Sequence, residues 1–218
     1  MKKFIIIIFI VLCSCSKKDN NLLISGEVKD LKNTSIYLID TNDKLVDSTV
    51  VTNEKFYLRA HANEPLEFTI AMGSKNSENR YSFISEPTQL IFTSSKDKFE
   101  YNGKIKNSLI HTEFEKIKNQ LTSFDEKDLE MLKQQIEATV NKNQVKYDSL
   151  DDQRLKLSQK KTLFIVNYCL NNKTNIVSAY LASKYNEKIS NSYKEKIYRN
   201  LHPEIKESFY GTELKSSF

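Results

Sequence analysis

Between Leu22 and Asn102 the chain alternates apolar and polar positions in short runs, each closed off by Asn, Asp, Ser, Gly or Pro. Successive side chains of a strand point to opposite faces, so this rhythm predicts strands with one face in a core. The runs cover residues 23–29, 35–40, 45–51, 56–61, 66–72, 81–84, 89–94 and 99–102. They are rich in Val, Ile, Thr, Tyr and Phe and begin about ten residues apart, which predicts an antiparallel β-sandwich-like domain over residues 22–103. Thr41-Asn42-Asp43-Lys44 and Thr52-Asn53-Glu54-Lys55 read as turns, because Asn and Asp tolerate turn backbone angles. Pro65 and Pro87 fall at strand starts, where a missing donor is harmless.

Past Gly103 the apolar period lengthens from two residues to three or four. Asn107 or Ser108 can cap a helix through Leu109, Phe114, Ile117 and Leu121, and Ser123-Phe124-Asp125-Glu126 reads as a second start. Leu129, Leu132, Ile136 and Val140 then share one face, and Tyr147, Leu150 and Leu157 carry the stripe towards residues 163–170. With no Gly or Pro in residues 104–202, the pattern predicts a long helical hairpin. A break at residues 171–175 and short helices over 176–185 and 191–201 complete a helical region over 104–218. Its Lys, Glu and Gln faces predict solvent-exposed helices rather than a globular helical core. The fold class is α+β.

The first residues follow a different logic. Lys2 and Lys3 precede nine apolar residues, Phe4 to Leu12, about half of the roughly 20 that a spanning helix needs. Leu12-Cys13-Ser14-Cys15 resembles a bacterial lipobox, with an aliphatic residue three before and a small residue just before the modified cysteine. The resemblance implies a signal peptide over residues 1–14, acylation of Cys15 and a lipidated tether over residues 15–21. Two or three acyl chains make such attachment long-lived, since each buried methylene contributes about 0.8 kcal/mol. Ser16, rather than Asp, after the cysteine resembles the pattern of lipoproteins sent to the outer membrane. An ordinary signal peptide cut elsewhere and an uncleaved helix are the alternatives.

The chain has 33 Lys and Arg against 28 Asp and Glu, a net charge of +5, and losing Lys2 and Lys3 lowers it to +3. That balance implies no nucleic-acid partner. Three His and three Cys make a multi-ligand metal site improbable, and 4 Gly leave no Gly-rich nucleotide loop. No cofactor is implied. After export Cys169 would be the one free thiol; its apolar surroundings, Leu163 to Leu170, read as a core position, and it is the candidate redox residue.

Several stretches in order resemble a domain of unknown function at the N-terminus of Bacteroidota lipoproteins. They are Ile24-Ser25-Gly26-Glu27-Val28-Lys29, Ile36-Tyr37-Leu38, Leu45 to Val51 before Lys55-Phe56, and the helical stretches at Thr174 to Leu181 and Leu201 to Gly211. In that family a thioredoxin-like thiol–disulfide oxidoreductase domain usually follows, whereas this chain ends at Ser216-Ser217-Phe218. The resemblance therefore implies an accessory module without its enzyme. The expectation is a non-enzymatic, lipid-anchored binding or scaffolding module of the cell envelope, with the membrane as one partner. A thioredoxin-like envelope protein is a second partner candidate, and a redox accessory using Cys169 is the rival reading.

The remaining candidates read as ordinary surface or core. His61, His111 and His202 have no paired spacing, Asp125-Glu126 and Asp151-Asp152 diverge by about 100° on a helix, and Lys156, Lys160 and Lys161 form a small basic cluster. Tyr180, Tyr185, Tyr193, Tyr198, Phe209 and Tyr210 have helical spacing that favours core packing. Replacing Cys15 by Ala is expected to abolish acyl-chain labelling and leave an unprocessed precursor. Labelling that survives in Cys15→Ala but is lost in Cys13→Ala would move the anchor two residues upstream.

Overall fold

The computed structural model describes residues 20–218; the expected signal peptide, Cys15 and most of the tether lie outside the described residues. Eight strands come first: β1 (Leu22–Lys29), β2 (Ser35–Asp40), β3 (Leu45–Val50), β4 (Lys55–Ala60), β5 (Leu66–Met72), β6 (Arg80–Ser85), β7 (Gln89–Ser95) and β8 (Lys104–Lys106). They form two four-stranded sheets, ordered β4-β1-β7-β8 and β3-β2-β5-β6. All pairings are antiparallel except β1 with β7, where the chain re-enters the first sheet beside its opening strand after completing the second. The alternation seen in sequence sets the burial: in β4, Phe56, Leu58 and Ala60 are buried while Lys55, Tyr57 and Arg59 are exposed. Phe56, Phe83, Phe92 and Phe99 are the largest side chains fully inside this core.

The eighth strand is displaced from the expected residues 99–102. Lys98 takes a left-handed φ of 60°, the Asn102 amide donates to the Lys98 carbonyl at 2.9 Å, and the segment is a turn. Its Phe99 ring plugs the core 5.5 Å from Phe92, so its apolar signal reports packing and not a strand. The sheet edge is taken instead by Lys104–Lys106, with Ile105 inward and a lysine on either side. Edge lysines of this kind discourage further strand pairing.

Six helices follow: α1 (Leu109–Val140), α2 (Gln144–Asn171), α3 (Ile176–Lys184), α4 (Asn191–Asn200), α5 (Pro203–Glu207) and α6 (Phe209–Lys215). Ser108 is the α1 cap, and its hydroxyl accepts from the His111 amide at 2.9 Å. α1 runs through the second start expected at Ser123, because neither Gly nor Pro stops the preceding helix there. α5 and α6 were not expected past Pro203; the proline begins one, and Ser208, accepting from the Gly211 amide, caps the other. No helix among the described residues is long and apolar enough to cross a membrane.

The helices also build a core of their own, against the expectation of merely exposed helices. Residues 176–183 of α3 are buried, and Phe114, Ile117, Ile165, Cys169, Ile197 and Leu214 close around them. Ile84 of β6 joins this second core, and Leu66 of β5 packs against both.

Beyond that core the α1 part of the apolar stripe is turned outward, whereas Leu150 of α2, on the same expected stripe, is buried. Arg154 of α2 forks onto both carboxylate oxygens of Asp128 at 2.8 and 3.0 Å and reaches Gln135 at 2.9 Å, while Lys161 meets Asp125 at 2.6 Å. Arg154 holds the Asp128 carboxyl below its ordinary range. Gln135 is buried while Leu129, Ile136 and Val140 face solvent. Periodicity marks which residues share a face, and here the polar face won the helix–helix seam through charge-assisted hydrogen bonds.

Gly26 is the tightest point of the sandwich. It sits opposite Phe56 across the β1–β4 pair, and a Cβ there would lie 2.0 Å from the ring. Gly26→Ala is expected to cost about 2 kcal/mol by forcing that ring aside, read as a lowered denaturant midpoint with unchanged slope; an unchanged midpoint would contradict this packing.

Candidate functional site

Where β8 and the first turns of α1 meet the sandwich, a groove of about 1030 Å³ opens to solvent. Tyr81, Tyr101, Lys98, Lys104, Lys106, Glu115 and Lys118 are among its lining residues. Each arrives for a local reason. The inward turn of Ile105 sends Lys104 and Lys106 outward, Tyr101 rides on the turn that Lys98 reverses, and Glu115 and Lys118 follow the cap of α1 by about two and three turns. Gly103 makes room for the floor, since a Cβ there would lie 2.3 Å from the Tyr81 ring.

Behind the floor a relay runs from the buried His111 through Tyr81 to the half-buried Glu115. His111 Nε2 stands 3.0 Å from Tyr81 Oη, and that hydroxyl donates to Glu115 Oε1 at 3.3 Å. With the phenol proton directed to the carboxylate, the imidazole donates from Nε2, and Nδ1 is left as a buried acceptor without a partner. A neutral ring fits this place: burial, then the nearby Lys118 charge, pushes His111 down to about 4. Burial, with Glu115 beside it, holds the Tyr81 phenol protonated far above its ordinary range. A second polar point anchors the same corner, where Glu86 accepts from the Ser108 hydroxyl at 2.7 Å and from the Leu109 amide at 3.2 Å.

The groove is rich in cations that the fold itself does not pair. Among the described residues, Lys75, Lys116, Lys161 and Lys184 form ion pairs, whereas Lys98, Lys104, Lys106 and Lys118 form none. Lys118 lies 5.4 Å from the centre of the Tyr81 ring and Lys98 lies 6.0 Å from that of Tyr101. Tyr101 is 86% exposed at the rim. Against the carboxylates of Glu78, Glu100 and Glu115 in the same lining, the four ammonium groups leave a small positive excess, which with the aromatic face suits an anionic ligand with a ring to stack.

The residues singled out in the sequence are dispersed. Cys15 lies outside the described residues. Cys169 is fully buried, its thiol 3.2 Å from the Ser178 carbonyl and pushed up to about 12 by burial, so neither access nor thiolate favours exchange in the folded chain. His61 sits 2.8 Å from Asn63 and His202 caps α5, both far in sequence from His111. Among the described residues no three His, Cys, Asp or Glu side chains converge as a metal site. Asp125 and Asp151 serve the hairpin seam, Asp152 and Glu126 are exposed, and Lys161 pairs with Asp125 while Lys156 and Lys160 are exposed. Tyr180 and Tyr210 are core, Tyr185, Tyr198 and Phe209 are half-buried, and Tyr193 is exposed. His111 was legible as a histidine at a helix start, but nothing in the sequence tied it to Tyr81, thirty residues earlier.

Residues 22–114 match the model of a family described as a domain of unknown function (DUF4369). No curated protein and no solved structure matches the chain. The matched stretch holds the whole sandwich, Tyr81, Gly103, Ser108 and His111, and it ends inside α1, just before Glu115 and Lys118.

The neutral, buried His111 makes stability depend on pH. Its folded value lies below the 6.5 of a free imidazole, so the unfolded chain binds the proton first and stability drains as pH falls from about 6.5 to about 4. The full loss is about 3 kcal/mol. In denaturant titrations His111→Gln is expected to show a much shallower decline over that window than the unmodified chain; parallel declines would contradict the assignment.

Proposed function

We propose that the mature protein is a lipid-anchored, non-enzymatic binding module of the cell envelope, and that its groove takes an anionic ligand bearing a ring. The observation that carries this reading is the set of four lysines without carboxylate partners around an open groove with an exposed tyrosine at its rim. Lysines far from one another usually only solvate a surface, but these four converge on one concavity whose floor is aromatic and rigid. The relay supports the floor from behind, because it fixes the Tyr81 ring against α1. The envelope location and the outer-membrane destination rest on Leu12-Cys13-Ser14-Cys15 and Ser16. A thioredoxin-like partner acting through Cys169 draws no support from that thiol, which would have to leave a fully packed core to react.

An acidic oligosaccharide is a suitable probe because it joins ring faces to regularly spaced carboxylates. Calorimetric titration with an oligogalacturonate is expected to show binding that weakens as salt rises. The Lys104→Glu/Lys106→Glu variant is expected to bind about tenfold or more weakly at an unchanged thermal midpoint. Equal binding by the two proteins, or no preference over a neutral maltooligosaccharide, would overturn the reading.

A further inference from the structure

The outer part of the α1–α2 hairpin buries Ala138 and Leu150 but carries Leu129, Ile136, Val140 and Leu155 on the outside. Asp128, Gln135 and Arg154 bond across the seam between the two helices. Leu129, Ile136 and Leu155 each follow one of those three by a single residue, and they are 52%, 57% and 59% exposed. One residue is a turn of about 100° on a helix, and in an antiparallel pair that turn carries both helices to the same side of the hairpin. Half-buried Leu132 and 76%-exposed Val140 extend the α1 part of this face over three turns. A contiguous apolar face of this kind on a soluble body marks an interaction surface.

The charges beside the face indicate what covers it. Lys133 and Glu137 flank the stripe on the side away from α2, and among the described residues neither forms an ion pair within the chain. If a second α1 lies antiparallel on the first, with a two-fold axis beside Gln134 and Gln135, Leu129 falls opposite Val140 of the second copy and Leu132 within one residue of the level of its Ile136. The same register brings Lys133 of each copy within one residue of the level of Glu137 of the other, within reach of two long side chains, so the flanking charges are complementary to themselves. A two-fold contact requires that property of one patch, and flanking ion pairs beside an apolar seam are how paired helices select orientation. We propose that the protein forms a homodimer through this face of α1, with reciprocal Lys133–Glu137 pairs along the edge of a Leu129–Leu132–Ile136–Val140 seam that lies away from α2.

The groove is lined by residues no further along α1 than Thr122, so dimerisation leaves it open and the two readings fail separately. Sedimentation equilibrium of the chain from Ser16 to Phe218, which keeps both cores whole, tests the proposal. The unmodified chain is expected to dimerise and Ile136→Glu to be monomeric with an unchanged circular dichroism spectrum, since Ile136 lies outside both cores. Lys133→Glu sets like charges against each other and is expected to dissociate about tenfold more readily, whereas Lys133→Glu combined with Glu137→Lys restores the original affinity. A monomer at concentrations of about 100 μM, a dimer that tolerates Ile136→Glu, or a double reversal no tighter than the single one would each overturn it.

Discussion

Three glutamates of one sheet hold the two halves of this protein together. Glu86, just past β6, receives the Ser108 hydroxyl and the first free amide of α1; Glu64, before β5, receives the Phe209 amide at the start of α6 at 2.8 Å. Glu67 within β5 accepts from the Tyr180 hydroxyl at 3.0 Å and from Lys184 at 3.2 Å, while its own amide donates to Tyr210 at 2.7 Å. Helix starts carry unsatisfied N–H groups and partial positive charge, so a carboxylate from another element both satisfies and orients them. Burial, with Glu67 close by, keeps the Tyr180 phenol protonated far above its ordinary range, which suits its role as a donor. Under this polar seam Leu66 and Ile84 join the apolar cores.

The seam explains where the chemistry sits. Once Glu86 fixes the start of α1, His111 falls against Tyr81 and Phe83, and Glu115 and Lys118 fall on the groove wall. The groove therefore belongs to neither half, although nearly all of its floor comes from the stretch that matches the domain of unknown function. The hairpin leaves the body on the same rigid start, and its polar inner seam frees an apolar outer face for association.

The sandwich was legible because strands facing a core tend to alternate, as β1 and β4 do, and seven of the eight strands fall on the expected runs. The eighth was not, since Phe99 enters the core from a turn and carries the apolar signal without the backbone. The α1–α2 pair was legible from the lack of Gly and Pro, but its packed face was not. Periodicity sees Leu129, Ile136 and Val140 together and cannot weigh them against one arginine with two acceptors on the facing helix. The helical core escaped for a related reason: α3 is buried on nearly every side, Ser178 and Ser183 included, and only nine residues long, too short for a face to show. Tyr81, His111 and Glu115 share no motif, because their meeting depends on the seam between the halves and not on spacing along the chain. The lipobox residues carry the envelope reading from outside the described structure.

If the glutamate seam makes sheet and helices one cooperative unit, its central carboxylate should govern the stability of both. Native-state hydrogen exchange of the Glu67→Ala variant, read at residues 68–70 of β5 and 177–181 of α3, tests this directly. Equal opening free energies are expected at the two places in the unmodified chain, and an equal fall at both in the variant. A helical segment that loses protection while the sandwich keeps its own would contradict it.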